Sequence, residues 1–319
     1  MFTLVILFFS FLTPTKNSWW GKWNKMELAG FSFIGWLSSY ESSKTKLKVF
    51  IYFIIQLIAS ALFFLSNIMM HFSSNKFMSY LSMIALILKV GGFPFHYWMY
   101  SIVENMSYYK LFFLMTIMKL APFMAMSYIQ FNLLILLISM SGLLMAPNSY
   151  QLGSIRFLLT YSSIIHVSWM IMTLTISKMM FLLYFFCYMT TMLITIQILV
   201  MQYTNLNQLK EMMINFQKTS HITIWLLVTY SMMGLPPFLM FYPKFWSAMF
   251  LISNSQWMPA SILIILSFLP SYFYSKLVFL MLLNIKATPA HPLFSKKYLL
   301  TSTKTIFFFI FIMWMNYQT

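Results

Sequence analysis

This chain of 319 residues has no aspartate, four glutamates (Glu27, Glu41, Glu104 and Glu211), one arginine (Arg156), one cysteine (Cys187) and eight glycines. Each shortage closes a class of function. A single cysteine forbids an internal disulfide and a thiolate metal site. Cys187 lies in an apolar run and reads as a small packing residue. The few acids and histidines never fall at metal-ligand spacing, and no glycine-rich phosphate loop, haem pair or flavin motif is present. Missing too is any polar stretch long enough to fold by itself, so residues 1–319 read as one domain.

What remains is apolar: 61% of residues are hydrophobic and 8% charged, with a mean hydropathy of +0.80. Runs of about 20 apolar residues recur along the chain, as in an all-α polytopic membrane protein. Abundant Phe and Met, with 35 and 31 copies, match the bias of AT-rich codons, most simply in an organellar genome. Met1-Phe2 leads straight into an apolar run. The absence of a cleavable signal or an Arg/Ser-rich transit peptide fits synthesis inside the organelle that houses the protein.

Apolar length predicts eleven transmembrane spans: 2–15, 19–40, 49–70, 77–97, 111–128, 130–146, 155–176, 179–203, 222–247, 258–283 and 299–316. The formal net charge is +16, which excludes nucleic acid less by its size than by its distribution. Most basic residues sit in short loops, where they set topology and meet anionic lipid headgroups. Eleven lie in loops on the N-terminal side and five on the other, which predicts an N-terminus inside and a C-terminus outside.

Two spans carry helix breakers: Gly91-Gly92-Phe93-Pro94-Phe95 in the fourth and Gly234-Leu235-Pro236-Pro237-Phe238 in the ninth. A broken helix frees backbone groups that lipid cannot satisfy. Each break has a lysine close by, Lys89 and Lys244. A lysine at the centre of a membrane helix costs about 2.5–3.5 kcal/mol on insertion scales. The breaks lie five spans apart, an odd number, so the second enters the membrane from the opposite side. That predicts an inverted repeat, about 1–128 against 130–283, with an extra helix at about 299–316. Interrupted helices at matching positions of two halves point to a transport path.

Four charged residues are the candidates for chemistry. Glu27 either pairs with Lys22 or Lys25 at the interface or faces the bundle and pairs with a lysine of another helix. Lys89 immediately precedes the first break. Taking an ammonium out of water disfavours its charged form and a nearby carboxylate restores it, so a moving partner charge switches its proton on and off. Lys119 lies mid-span, three residues before Pro122, whose missing N–H leaves a carbonyl free in the preceding turn. Lys244 follows the second break. Lys276, near a span end, reads as snorkelling. His96, just after the first break, and His166, mid-span, are candidate proton relays, because neutral imidazole both donates and accepts; each reads equally as a packing residue. His71 and His291 read as inert loop residues.

The run Lys89-Val90-Gly91-Gly92-Phe93-Pro94-Phe95-His96-Tyr97-Trp98, followed by Glu104 and Lys119-Leu120-Ala121-Pro122, closely resembles the NADH dehydrogenase subunit 2 family of mitochondrial respiratory complex I. Four further stretches agree: Asn17 to Glu27, Lys48 to Ser60, Arg156 to His166, and Gly234 to Lys244. The resemblance covers about 17–250, and its details look arthropod. It implies an antiporter-like, proton-translocating subunit of the mitochondrial inner membrane. NADH, FMN, iron–sulfur clusters and ubiquinone are then handled by other subunits, with no cofactor in this chain. The implied partners are neighbouring antiporter-like and small core subunits of the membrane arm, and phospholipids such as cardiolipin. Carried over by motif, Glu27 and Lys89 form the first pair, Lys119 connects, and Lys244 serves the second half-channel. Animal members lack three N-terminal helices of bacterial relatives, which matches eleven spans and a matrix-side N-terminus. The chain departs from the family pattern at Gly30, Tyr100, Asn105, Met233 and Met240, which bears on helix-break geometry and hydration rather than on charge. A stand-alone cation/proton antiporter and a non-pumping spacer subunit are the rival readings.

Overall fold

The computed structural model describes residues 2–13, 18–39, 43–72, 76–92, 94–104, 106–129, 154–202 and 219–285. The predicted spans 130–146 and 299–316 lie outside them. The described elements are all helices: α1 (Phe2–Leu12), α2 (Trp19–Ser38), α3 (Ser43–Phe72), α4 (Lys76–Val90), α5 (Tyr97–Val103), α6 (Tyr108–Met115), α7 (Ile117–Met126), α8 (Ile155–Ile176), α9 (Lys178–Gln202), α10 (Thr219–Met233), α11 (Phe241–Ser253) and α12 (Trp257–Ile285).

Five segments among the described residues are long and apolar enough to cross a membrane: Lys46–Phe72, Tyr108–Met126, Ile155–Ile176, Lys178–Val200 and Trp257–Lys276. The remaining predicted spans fall short for readable reasons. Lys22, Lys25 and Glu27 load α2 with charge, and the two breaks cut the fourth and ninth spans into α4–α5 and α10–α11. With 11 residues, α1 reaches only about half of the hydrocarbon thickness.

The centre of the bundle is α8, buried continuously from Leu158 to Thr173. A helix buried all round has no lipid face to supply, so its interior positions are free to hold Thr160, Ser162, Ser163 and His166. Against it pack α9, α11, α12 and α5. On the other side α7 packs against α4, α1 and α2, and all of its residues are buried except Met118. Outward faces carry exposed apolar side chains, such as Phe50, Ile54 and Ile58 on α3 and Ile265 and Phe268 on α12. Lipid tails are as apolar as these side chains, so such faces need no protein cover.

Polar residues collect at the two ends of α2. At its C-terminal end the Lys110 ammonium donates to the carbonyls of Leu37 and Ser39, each at 3.3 Å. Near helix ends, Lys48 of α3 pairs with Glu104 at 2.5 Å, and the Arg156 guanidinium of α8 donates to the Glu104 carbonyl at 2.6 Å. At its N-terminal end, some 30 Å away, Trp19 donates to His71 Nε2 at 2.7 Å.

One predicted break lies elsewhere. Pro122 sits inside α7, which continues through it, and the fifth span is interrupted at Thr116 instead. There the backbone turns to φ −116°, ψ −76°, between α6 and α7. Pro122 removes a donor but fits a helix whose neighbours fill the gap.

Candidate functional site

Both predicted breaks begin the same way. Gly91 (φ +73°) and Gly234 (φ +79°) adopt the left-handed conformation that ends a helix cheaply only at glycine. The Gly91 amide donates to Leu88 and the Gly92 amide to Ile87, while the Gly234 amide donates to Ser231 and that of Leu235 to Tyr230. Each is a Schellman closure, with one bond spanning three residues and one spanning five. Such a closure leaves the last two carbonyls of the helix without a backbone donor. The two breaks satisfy one of them differently. In the first, Gln56 of α3 donates to the Lys89 carbonyl at 3.2 Å. In the second, the Lys244 ammonium donates to the Met233 carbonyl at 3.1 Å. Pro94 and the pair Pro236–Pro237 lie in the turns that follow each closure, where the Phe95 amide donates to Gly92 and the Phe238 amide to Leu235.

Glu27 does not pair with its own helix neighbours. Its carboxylate accepts from the Lys89 ammonium at 2.5 Å, and the two side chains are 16% and 8% exposed. Lys25 is turned away to donate to the Leu12 carbonyl, and Lys22 lies over the ring of Tyr128. A buried ion pair is costly unless its geometry is close and its remaining groups are bonded. The Gln56 contact holds the Lys89 backbone rather than its ammonium, and so fixes the position from which the side chain reaches Glu27.

Lys89 and Lys119 line the same small cavity, of about 20 Å³. Its walls include Gly30, Tyr52, Gln56 and Pro122. Polar groups line it, and its volume suffices for about one water molecule. Lys119 is 3% exposed, and its ammonium donates to Ser163 Oγ at 3.2 Å rather than to a carbonyl freed by Pro122. Ser163 in turn donates to the Thr160 carbonyl of its own helix at 2.7 Å.

One turn further along α8, His166 is buried, and its Nδ1 shares a hydrogen bond with the Tyr184 hydroxyl at 2.9 Å. Its ring packs against that of Tyr188, with centroids 4.9 Å apart. Both Lys119 and Lys244 act electrostatically on His166. His166 is thus within electrostatic reach of a lysine from each half. His96 is placed otherwise. It is 2% exposed, stacks on Tyr97 at 4.7 Å and meets the edge of Tyr100; it does not line the cavity. Lys276 is exposed on α12, as a snorkelling residue is.

The sequence did not single out Gln56, Ser163 or Tyr184 for a role. The available signal was weak: a lone amide in Ile54-Ile55-Gln56-Leu57, and the spacing of three that puts Thr160, Ser163 and His166 on one helix face. Among the described residues, no three His, Cys, Asp or Glu side chains converge as metal ligands.

The family model for NADH:quinone oxidoreductase/Mrp antiporter transmembrane proteins matches residues 18–270. The NADH-ubiquinone oxidoreductase chain 2 of Locusta migratoria is 30% identical, over 88% of this chain and 84% of its own. That of Artemia franciscana is 31% identical, over 77% and 79%. Among solved structures, a chain of respiratory complex I from Thermus thermophilus superposes with a TM-score of 0.79 at 17% identity, covering 88% of this chain and 69% of that one. A chain of the Mrp complex from Dietzia superposes with a TM-score of 0.65 at 13% identity, over 87% and 58%. These last two likenesses concern the fold. The family model and the two relatives show that this chain belongs to the NADH:quinone oxidoreductase/Mrp antiporter transmembrane family, among the NADH-ubiquinone oxidoreductase chain 2 proteins.

Proposed function

We propose that this chain is a core membrane-arm subunit of respiratory complex I in the mitochondrial inner membrane. It translocates protons there, driven by NADH oxidation and ubiquinone reduction in other subunits. The observation that carries this reading is the row of buried charge. Glu27 holds Lys89, Lys89 and Lys119 share a cavity, and His166 lies in the field of both Lys119 and Lys244. A non-pumping spacer has no use for such a row, since each intramembrane charge is expensive.

In this mechanism Glu27 is the input. When its charge moves toward Lys89, the ammonium is favoured; when the partner charge is withdrawn, the proton is released into the cavity. Lys119 accepts or repels the displaced charge, and Ser163, His166 and Tyr184 bridge toward Lys244. Each elementary charge moved across 100 mV involves about 2.3 kcal/mol.

We further propose eleven spans in two inverted halves, about 1–128 and 130–283, with an extra helix at about 299–316. The equivalent closures at Gly91 and Gly234 support this pairing. The N-terminus faces the matrix and the C-terminus the intermembrane space. Supporting that topology, Lys48, Glu104, Lys110 and Arg156 gather at one end of the bundle and Trp19 and His71 at the other, as the loop count requires. Neighbouring antiporter-like and small core subunits are the partners, along with cardiolipin and other phospholipids. NADH, FMN, iron–sulfur clusters and ubiquinone belong to the other chains. The test is a high-resolution map of the intact complex. This reading expects ordered water from Lys89 through Lys119 to Lys244. A dry interior favours the spacer, and a chain that purifies alone and exchanges Na⁺ or K⁺ for protons without NADH is a separate antiporter.

A further inference from the structure

We propose that Lys22, Lys178 and Tyr128 form a site for the phosphate of an anionic phospholipid headgroup, independent of the proton path. Three separate segments bring these residues together: the first turn of α2, the start of α9 and the end of the α7 turn. The Lys22 ammonium lies 2.6 Å from the centroid of the Tyr128 ring, and that of Lys178 lies 4.4 Å from it. Lys22 is only 2% exposed. An aromatic face attracts a cation but carries no net charge, so two positive charges remain and repel each other.

Among the described residues, the chain offers neither lysine a carboxylate. Of its four glutamates, Glu27 is held by Lys89 and Glu104 by Lys48. In sequence, Glu41 follows the far end of α2 and Glu211 the far end of α9. In the proposed site the counter-charge comes from outside the chain. The α2 and α9 N-termini add positive dipole ends beside the pair. Next to it Trp19, Trp20 and Trp23 cluster with Phe64, the kind of aromatic girdle that sits at headgroup level. Trp20, Phe11 and Met179, close in sequence to Lys22 and Lys178 or to the helix ends that carry them, are exposed and apolar. A diffusing phosphate or a partner's carboxylate has no use for these exposed apolar side chains, whereas a phospholipid lays its acyl chains on them.

The test follows the reaction of Lys178 with an amine-selective acylating reagent, read by peptide mass spectrometry on the assembled complex. The complex is placed in phosphatidylcholine vesicles, in vesicles that also hold phosphatidylglycerol, or in phosphatidylcholine with added inorganic phosphate. Exposed Lys76 is the reference. The expected result is about five-fold slower labelling of Lys178 with phosphatidylglycerol, the effect of one basic residue at an anionic surface. The reference stays constant, and Lys22→Gln removes most of the protection. Equal labelling in all three preparations overturns the proposal. So does equal protection by inorganic phosphate, which marks a free-anion site. Protection already complete in phosphatidylcholine alone assigns the counter-charge to a neighbouring subunit and overturns it as well.

Discussion

Gly91 and Gly234 occupy one station in two separate helix ends, at φ +73° and +79°, with the same pair of closing hydrogen bonds behind each. What differs is which freed carbonyl is reached and by what: the Gln56 amide reaches Lys89, two residues before Gly91, and the Lys244 amine reaches Met233, one residue before Gly234. A shared backbone device has been given two kinds of polar partner. In the second break the protonated lysine is itself a structural bond, so proton loss there loosens the break.

That contact makes Gly234 sensitive twice over. A Cβ there would lie 2.9 Å from Lys244 Nζ and 3.1 Å from its Cδ, and a left-handed non-glycine residue costs about 1–2 kcal/mol. Gly234→Ala is expected to destabilise the assembled complex by at least that amount and to lower proton pumping. Gly30→Ala, where a Cβ meets nothing within 4 Å, is expected to leave both unchanged. Thermal unfolding and pumping assays on the two variants make the comparison.

Gln56→Leu removes the donor to the Lys89 carbonyl and leaves that group buried and unpaired. The expected cost is about 1–3 kcal/mol, concentrated at the break. Hydrogen exchange checks it: the amides of Gly91 and Gly92 lose protection, while those of the second break do not.

For the Glu27–Lys89 pair, removing one partner strands a charge, at about 3–5 kcal/mol in the buried limit, and less here because Glu27 keeps 16% exposure. Glu27→Gln and Lys89→Met are each expected to destabilise the protein more than the double variant does. A double-mutant cycle on unfolding measures the coupling. Additive single effects are inconsistent with a direct pair.

Gly30 borders the cavity shared by Lys89 and Lys119, and the space beside it is open. Gly30→Leu fills that space with apolar atoms. Assembly is expected to survive, while protons pumped per NADH oxidised fall several-fold. Unchanged stoichiometry places the water path elsewhere.

The charged positions were legible in the sequence because lipid gives a mid-span lysine no ordinary explanation; Lys89, Lys119 and Lys244 stand out against their apolar neighbours. The breaks at Gly91 and Gly234 were legible because glycine and proline together contradict a membrane helix. Thr116 was not. It carries no breaker, and Pro122 drew the expectation to itself although a packed helix absorbs it. Ser163 was hidden for another reason. A serine inside a membrane helix commonly bonds its own preceding turn, as Ser163 does with Thr160, and its contact with Lys119 arises only when α7 meets α8. The two histidines read alike in sequence, and packing alone separates them: His166 turns inward to Tyr184, while His96 turns to Tyr97 and Tyr100.

Lys119 joins the first cavity to the polar face of α8, so the whole account passes through one ammonium group. The decisive measurement is redox-linked proton translocation by intact, assembled complex carrying Lys119→Ala, scored as protons moved per electron transferred. The expected result is a marked loss of pumping, with assembly and the cofactor complement preserved. Full pumping in that variant contradicts the account.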